Sequence, residues 1–511
     1  MKKLVLTTGQ NLKLKDIEDV LGDPALRIAI SREAMAGVEA ARIVVDEAVA
    51  NDEIVYGINT GFGKLSSVKI EKKGLSRLQK NLIMSHASGV GEPLDVGEAR
   101  LAMVLRINAI IKGHSGVRPR LVNKLVEIFN AKIVPVIPRQ GSVGASGDLA
   151  PLAHMALVPL GLGEVFYRGK RMETGEAFAR AGVKPIIFKS KEGLALINGT
   201  QIMTAVAARA LVGAYRAVRH ADVAAAMTVE ALKGTDVPFD DRIAGLRPQT
   251  GHAQSARNVR RLLSGSWILA SHVDCSKVQD PYCLRCVPQV HGASRGAFRH
   301  VEDVVTTEFN AVTDNPLIFP DVGDILSGGN FHGQPVAIAS DYLGVAIAEL
   351  GSISERRIEN LVNPELSGLP AFLARRSGLH SGYMVAQVTA AALVSENKIY
   401  AHPASVDSIP TSANKEDHVS MGTIAAFKAA RILANVEYVL AVEFLCAAEG
   451  LEYRGKLNPG KGVMAAYRAV RKEISPLRKD RVLSVDVEKV AEMIRGGTIL
   501  EAVEKSIGPL E

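Results

Sequence analysis

Residues 200–232 read TQIMTAVAARALVGAYRAVRHADVAAAMTVEAL, and this stretch sets the fold class of the chain. Alanine, the strongest helix former, recurs through it, and its apolar residues follow a helical spacing. Three later stretches share this character, namely Gln334–Arg357, Val385–Ala401 and Thr423–Glu449. Helices of this length exceed the average of globular proteins. The sequence therefore predicts a mainly α fold built on a bundle of long helices.

Glycine marks where two of these helices are expected to end, at Lys233-Gly234 and at Glu449-Gly450. Upstream of residue 200 the character differs, because glycines and prolines interrupt short apolar runs such as residues 131–137. We therefore predict two domains. Residues 1–200 form an irregular N-terminal domain, and residues 201–511 form the long-helix bundle.

The chain has 511 residues, with 61 Lys and Arg against 54 Asp and Glu, which gives a formal net charge of +7. Hydrophobic residues make up 47% and charged residues 23% of the chain, as in ordinary globular proteins. This composition excludes a disordered chain, a collagen-like fibre and a disulfide-rich miniprotein. Basic side chains are interleaved with acidic ones, so we expect no nucleic-acid partner.

We also expect no association with a membrane. The apolar run Leu4–Leu6 is too short for the core of a secretory signal. Charged side chains interrupt residues 200–232, which come nearest to a membrane-spanning segment. The chain has four cysteines among 511 residues, and so few indicate a reducing compartment. We therefore predict a cytoplasmic protein.

Cys283 and Cys286 form a CxxC motif, which is half of many zinc and redox sites. No second CxxC occurs in the sequence, and Cys446 is remote. We therefore interpret the cysteines as ordinary buried thiols and expect no metal site.

Glycine-rich stretches of the chain fail the tests for common enzyme motifs. Gly57–Lys64 lacks the spacing of a phosphate loop, and Leu65 replaces the required Ser or Thr. Gly141, Gly144 and Gly147 do not have dinucleotide-binding spacing, and Ser146 does not lie in a G-x-S-x-G elbow. The interpretations as NTPase, dehydrogenase and serine hydrolase lose their support here.

Residues 141–152, GSVGASGDLAPL, allow two interpretations. In the first they form a turn that enters a helix, with Asp148 at the N-cap and Pro151 in the first turn. In the second the chain makes its own electrophile. The amide nitrogen of Gly147, unhindered by a side chain, attacks the carbonyl carbon of Ala145, and loss of water closes a five-membered ring. Dehydration of Ser146 then gives 4-methylidene-imidazol-5-one, an electron sink that ordinary side chains do not provide.

The block Gly144–Pro151, GASGDLAP, resembles the signature of the aromatic amino acid ammonia-lyases and aminomutases. Further blocks that resemble this family occur in the family's order along most of the chain. They are Tyr56–Gly63 (YGINTGFG), Ser85-His86-Ala87, Lys112–Pro119 (KGHSGVRP), Leu196–Thr200 (LINGT), Val278–Arg285 (VQDPYCLR), Thr313–Leu317 (TDNPL), Gly329–Pro335 (GNFHGQP) and Ser412–Ser420 (SANKEDHVS).

The resemblance implies an enzyme that eliminates ammonia from an aromatic amino acid. Its prosthetic group, 4-methylidene-imidazol-5-one, would form autocatalytically from Ala145, Ser146 and Gly147 in the N-terminal domain, with no external cofactor. The resemblance also implies a homotetramer whose active sites are shared between chains. Long apolar helices agree with this, since a helix that is apolar all round needs cover on every side.

Such an enzyme must remove a weakly acidic β-hydrogen and expel an amine. By resemblance Tyr56 is the base for this hydrogen, which requires the site to lower the pKa of its phenol. Arg285 is expected to clamp the substrate carboxylate, because its planar fork binds carboxylate in a bidentate manner. The other expected contributors are Asn198 and Tyr282, which form hydrogen bonds to the ring and the substrate, Gln279, which assists, and Phe331, which packs on the ring.

His86 and Glu416 are expected to select the substrate. A carboxylate accepts a hydrogen bond from an imidazole N–H, and Glu416 followed by Asp417-His418 favours L-histidine, with urocanate and ammonia as products. Lys415 and Cys283 stand where glutamine and serine are frequent in such proteins, which leaves the substrate breadth open.

Three alternatives remain at the level of the sequence. A lyase or aminomutase that acts on tyrosine or phenylalanine would share most of these blocks. A metal- or base-driven lyase would leave Ser146 unmodified. A non-catalytic helical assembly protein would retain the scaffold alone.

Overall fold

The structure is a computed structural model, and it describes residues 2–9, 11–275 and 277–511. Contacts divide the chain into two compact units. Unit 1 comprises Met1–Arg209, Glu302–Asp341 and Pro403–Phe427, and unit 2 comprises Ala210–Val301, Tyr342–His402 and Lys428–Glu511. The first boundary lies near the predicted division at residue 200, but nothing in the sequence indicates that two later segments group with the N-terminal part.

Helices make up most of the described residues. Those before residue 200 are α1 (Leu14–Gly22), α2 (Arg32–Ala50), α3 (Leu75–His86), α4 (Val96–Ile110), α5 (Pro119–Asn130), α6 (Leu149–Leu157), α7 (Thr174–Ala181) and α8 (Glu192–Ile197). Those after it are α9 (Gln201–Ala231), α10 (Asp241–Leu246), α11 (His252–Leu263), α12 (Trp267–Ala270), α13 (Tyr282–Arg285), α14 (Val287–Phe309), α15 (Gln334–Val362), α16 (Pro364–Ser367), α17 (Met384–Tyr400), α18 (Gly422–Glu452), α19 (Lys461–Glu473), α20 (Leu483–Gly496) and α21 (Thr498–Ile507).

The strands are short and form small separate sheets. They are β1 (Lys3–Leu6), β2 (Arg27–Ile30), β3 (Val90–Pro93), β4 (Val134–Pro135), β5 (Pro138–Gln140), β6 (Glu164–Tyr167), β7 (Lys170–Glu173), β8 (Leu317–Phe319) and β9 (Asp324–Leu326). β1 and β2 pair in parallel, whereas β3 with β5, β4 with β6, β6 with β7, and β8 with β9 pair antiparallel.

The prediction of a mainly α fold is confirmed, and the predicted long helices are α9, α15, α17 and α18. One predicted helix end is wrong, because α18 continues past Gly450 to Glu452. A Cβ at Gly450 would lie 3.0 Å from Cβ of Ala231 and 3.5 Å from Cδ2 of Leu361. Gly450 therefore does not end α18. It allows α18 to pack closely against α9 and α15.

The part of the chain before residue 200 contains more regular helix than its sequence predicts. α2 has 19 residues and begins at Ser31, whose Oγ accepts a hydrogen bond of 3.1 Å from the N–H of Ala34. α4 has 15 residues, and every side chain from Glu98 to Ile110 is buried. A helix buried on all sides shows no amphipathic pattern, which explains why the sequence does not reveal α4.

Two helical stretches, Glu192–Ala231 and Gln334–Val362, are long and apolar enough to cross a membrane by length and composition alone. In their most apolar windows, 94% and 67% of the residues are buried inside the protein. Core helices of water-soluble proteins pass the same test, so this feature is weak evidence for a membrane span.

Candidate active site

The turn Ala145-Ser146-Gly147 precedes α6 and has a left-handed backbone, with φ of 53° at Ser146 and 78° at Gly147. Nδ2 of Asn198 donates a hydrogen bond of 2.7 Å to the carbonyl oxygen of Ser146. The Ser146 hydroxyl donates one of 2.5 Å to Oε1 of Glu416. Two residues that the sequence analysis assigns to the site, Asn198 and Glu416, therefore contact Ser146 directly.

Glycines allow the surrounding backbone to approach the turn. A Cβ on Gly147 would overlap the backbone of Gly199, and a Cβ on Gly144 would overlap Oγ of Ser420. The N–H of Asp148 donates to the carbonyl oxygen of Gly199 at 2.7 Å. No side chain fits at these two positions, so the turn depends on glycine for space as well as for its positive φ.

Asp148 has a different role from the one that the first interpretation of the motif gives it. It stands at the N-cap position of α6, but its side chain makes no cap hydrogen bond there. Instead Oδ2 accepts from the N–H groups of Ile202 at 3.0 Å and Met203 at 2.9 Å, in the first turn of α9. Oδ1 accepts from the hydroxyls of Thr423 at 2.5 Å and Ser142 at 3.2 Å. Burial raises the pKa of Asp148 to about 6 despite these donors.

Glu416 is held in place by its neighbours along the chain. Its Oε2 atom accepts from the hydroxyls of Thr411 at 2.9 Å and Ser412 at 2.6 Å. Thr411 and Glu416 also form an antiparallel β-bridge, with Thr411 N–H donating to the Glu416 carbonyl at 2.9 Å. Lys415 beside it is exposed. The carboxylate is thus fixed at one oxygen and presents the other to Ser146.

Tyr56 and His86 lie near this carboxylate. The Tyr56 hydroxyl oxygen accepts a hydrogen bond of 3.4 Å from the N–H of Gly63. Burial raises the pKa of Tyr56, and the charge of Glu416 adds to that effect. The expected lowering of this pKa is therefore not produced by the residues around Tyr56 in one chain. Burial lowers the pKa of His86, whose Nδ1 atom lies 3.1 Å from Oγ of Ser85.

Unit 1 contains a cavity of about 710 Å³ around the turn. Six residues that the sequence analysis assigns to the site line it, namely Tyr56, His86, Ser146, Asn198, Phe331 and Glu416. Many other lining residues were not predicted as site residues, among them Phe62, Leu65, Leu82, Leu194 and Asn315. Phe62 and Asn315 belong to the quoted blocks Tyr56–Gly63 and Thr313–Leu317, so these blocks could have identified them as site residues. Nothing in the sequence singles out the three leucines.

A model of the aromatic amino acid lyase family matches residues 12–472. The chain belongs to this family. The histidine ammonia-lyase of Symbiobacterium thermophilum is 53% identical over 503 residues, which cover 98% of this chain and 99% of that relative. The histidine ammonia-lyase of Alkaliphilus oremlandii is 51% identical over 507 residues, covering 99% of each.

Two solved structures of the family superpose on nearly the whole chain. The histidine ammonia-lyase from Trypanosoma cruzi is 44% identical, with a TM-score of 0.91 and coverage of 99% of this chain and 96% of that one. The tyrosine aminomutase from Streptomyces globisporus is 35% identical, with a TM-score of 0.93 and coverage of 99% and 100%. Because both fit so closely, the fold of this aromatic amino acid lyase does not by itself distinguish a lyase from an aminomutase.

Three predicted site residues of this aromatic amino acid lyase belong to unit 2. Gln279 and Arg285 line a cavity of about 930 Å³ there. Tyr282 is exposed, with the Arg285 guanidinium 4.2 Å from the centre of its ring. Nε of Arg285 donates to the carbonyl oxygen of Asp280 at 3.1 Å. None of the three lines the cavity around Ser146, so the described residues of one chain bring only part of the predicted site together.

The cysteines of the described chain are free thiols, but the prediction that they are buried is wrong for the exposed Cys275 and the half-buried Cys286. Cys283 is buried in α13, its Sγ accepts from Nδ2 of Asn360 at 3.5 Å, and burial raises the pKa of its thiol. Within the described residues, no group of three or more His, Cys, Asp and Glu side chains could hold a metal ion.

Proposed function

We propose that this chain is a histidine ammonia-lyase, which eliminates ammonia from L-histidine to give urocanate in the first step of histidine degradation. The observation that carries the proposal is the contact of Glu416 with Ser146 inside the cavity of unit 1. A carboxylate at this place accepts an imidazole N–H and has nothing comparable to accept from a phenyl ring. Full-length relatives near 50% identity with the name histidine ammonia-lyase support the same substrate.

The prosthetic group of the proposed enzyme is 4-methylidene-imidazol-5-one, formed from Ala145, Ser146 and Gly147. The residues present fit this group. The turn is already tight, and among the described residues nothing accepts a hydrogen bond from the N–H of Gly147, the nitrogen that must attack. Asn198 would hold the ring through the Ser146 carbonyl. When formed, the group supplies the carbon electrophile that ordinary side chains lack.

Glu416 binds the substrate imidazole in this proposal. Its Oε2 atom is occupied by Thr411 and Ser412, whereas Oε1 accepts from the Ser146 hydroxyl. Dehydration of Ser146 removes this hydroxyl, so Oε1 is released to accept the N–H of the imidazole. His86 and Phe331, which line the same cavity, complete the pocket for the ring.

Tyr56 takes the β-proton of the substrate at its phenolate oxygen. The N–H of Gly63 stabilises that phenolate, whereas burial and Glu416 disfavour it. The proposed base therefore needs a further group that lowers this pKa, beyond the residues of one chain that act on it here.

Arg285 clamps the carboxylate of the substrate, with Tyr282 and Gln279 beside it. We propose that these residues reach the cavity of another chain in a homotetramer. α17 supports an assembly, because it exposes apolar side chains over much of its length. They include Val385, Val388 and Ile399, which are 65%, 55% and 72% exposed. We propose a cytoplasmic location, which the small number of cysteines supports, and neither a nucleic acid nor a membrane as partner.

Incubation of the purified protein with L-histidine tests this function. Urocanate and ammonia should form in equal amounts, and the intact mass should be lower than the encoded mass by two water molecules. Coumarate, cinnamate or a β-amino acid formed from tyrosine or phenylalanine at a higher rate would point to the alternative lyase or aminomutase. An active protein with the full encoded mass would refute the prosthetic group.

A further inference from the structure

A buried arginine stands behind the turn that carries Ser146. Arg106 lies on α4, and its side chain is fully buried. Its Nη1 atom donates to three acceptors, which are the carbonyl oxygens of Asn198 at 3.3 Å and Thr313 at 2.9 Å and Oε1 of Gln201 at 2.9 Å. One guanidinium nitrogen therefore connects the backbone at Asn198 with the backbone at Thr313.

Gly199 lies between Arg106 and the turn. A Cβ on Gly147 would overlap the backbone of Gly199, and a Cβ on Gly199 would overlap Nη1 of Arg106. The order of contact is thus Gly147, Gly199, Arg106, with no room for a side chain at either glycine. The guanidinium forms the surface against which the peptide Asn198-Gly199 rests.

Asn198 connects this surface to the reacting residue. Its carbonyl oxygen accepts from Arg106, and its side-chain Nδ2 donates to the carbonyl oxygen of Ser146 at 2.7 Å. A shift of the Asn198 backbone would move the side-chain amide away from Ser146. Arg106 is therefore one hydrogen-bonded residue away from the tripeptide.

Arg106 forms only a long ion pair. Its nearest carboxylate, Asp314, lies 3.9 Å from Nη2. Both oxygens of Asp314 accept from Nζ of Lys191, at 3.0 and 2.9 Å. All three side chains are fully buried. Among the described residues, the hydrogen bonds of this guanidinium all come from Nη1, whereas Nε and Nη2 have no hydrogen-bond partner. Charged donors form the stronger hydrogen bonds, so the contacts of Nη1 hold the peptide groups that it reaches.

We propose that Arg106 is a positioning residue of the reaction, which holds Asn198 against Ser146 and so determines how completely the tripeptide cyclises and how fast the enzyme turns over. This inference rests on the proposed function and deepens it, because it assigns a role to a residue that lies outside the cavity.

Substitution Arg106→Lys tests the inference, since lysine keeps the charge but has a single nitrogen on a flexible stem. Arg100→Lys is the matched control. Arg100 is also buried on α4, but it donates to the carbonyl oxygen of Asp23 at 3.3 Å and lies 4.6 Å from the ring centre of Phe129. The measurements are the thermal unfolding midpoint, the fraction of chains that have lost two waters, and kcat and KM for L-histidine.

We expect folded Arg106→Lys to show incomplete water loss and a kcat lower by about 10- to 100-fold, with a much smaller change in KM, because displaced catalytic groups affect turnover most. Arg100→Lys should lower the unfolding midpoint, because it too loses buried contacts, but should match the wild type in water loss, kcat and KM. A double-mutant cycle adds a readout that general destabilisation does not move. In an Asn198→Ala background, Arg106→Lys should have little further effect on kcat.

Wild-type water loss and kcat in Arg106→Lys would overturn the inference, as would an equally large effect with and without Asn198. If Arg106→Lys does not fold, Gln201→Met decides the matter, since it removes one acceptor of Arg106 and keeps the arginine. Unchanged cyclisation and kcat in that variant overturn the inference, and a reduction in either supports it. A wild-type chain that retains its full mass or forms no urocanate refutes the proposed function itself.

Discussion

Ser146 and Glu416 lie 270 residues apart in the sequence, and the Ser146 hydroxyl donates a hydrogen bond of 2.5 Å to Oε1 of Glu416. This bond joins the hydroxyl that dehydration would remove to the carboxylate that we assign to the substrate ring. One acceptor oxygen of the proposed substrate site, Oε1 of Glu416, is therefore bonded to the Ser146 hydroxyl before the proposed prosthetic group forms.

Ser146→Ala should fold but lose nearly all activity, because no other side chain supplies the electron sink. Intact-mass measurement should show no loss of two waters in this variant. Ser67→Ala, at an exposed position outside the cavity, is the control and should keep both activity and water loss. Substantial urocanate formation by Ser146→Ala would exclude the proposed prosthetic group.

Glu416→Ala should reduce kcat/KM for L-histidine on the order of 100- to 1,000-fold, because an unpaired polar group of a bound substrate is costly. Any residual activity on phenylalanine should fall much less, since a phenyl ring has no N–H to lose a partner. Asp417→Asn, at the exposed neighbouring position, is the matched control. Equal losses on the two substrates would show that Glu416 does not select histidine.

Asp148 should make the stability of the protein depend on pH. Burial raises its pKa in the folded chain from 3.8 to about 6, so the folded chain binds more protons than the unfolded chain between these values. The contribution of the protonated group to stability is fully present below pH 3.8 and is lost as pH rises through about 6. The loss amounts to about 3 kcal/mol, at about 1.4 kcal/mol per pKa unit.

Asp148→Asn removes this dependence, and urea unfolding between pH 4 and pH 7 measures it. The free energy of unfolding of the wild type minus that of Asp148→Asn should fall by about 2 kcal/mol as the pH rises across this range. A difference that is constant or increases with pH would contradict the raised pKa.

The assembled enzyme should have a mass close to four chains of 54.5 kDa by sedimentation or light scattering. Tyr56→Phe and Arg285→Ala should each be inactive alone. Mixed after dissociation and reassembly, they should recover part of the activity, because some sites would combine an intact Tyr56 with an intact Arg285. A fully active monomer, or mixtures with no recovery, would refute shared sites.

Much of the fold could be predicted, because long alanine-rich stretches with apolar residues at helical spacing indicate helices. The sequence predicts the starts of α9 and α17 to within one residue. The sequence does not predict α4, because a helix buried on every side has no periodic pattern of apolar and polar residues. The prediction of a helix end at Gly450 is wrong because the reason for this glycine is its close contact with Ala231. That contact arises only when separate helices pack, so the sequence does not show it.

The candidate site also has a part that the sequence predicts and a part that it does not. Resemblance to family blocks located Tyr56, Ser146 and Glu416, which the fold brings to one cavity. The partners of Asp148 could not be predicted, since its carboxylate binds the start of α9 rather than its own helix. The direction in which the pKa of Tyr56 shifts could not be predicted from the sequence either, because burial and the position of Glu416 determine it.

The glycines around the turn have a consequence for attempts to engineer this protein. Gly144, Gly147 and Gly199 leave no space for a side chain, so libraries that vary them would yield mostly chains with a distorted turn, which could not form the proposed prosthetic group. Leu65 and Leu82 line the same cavity away from these close backbone contacts. Diversity directed at those leucines can reshape the space for a new substrate while the chemistry of the turn is left intact.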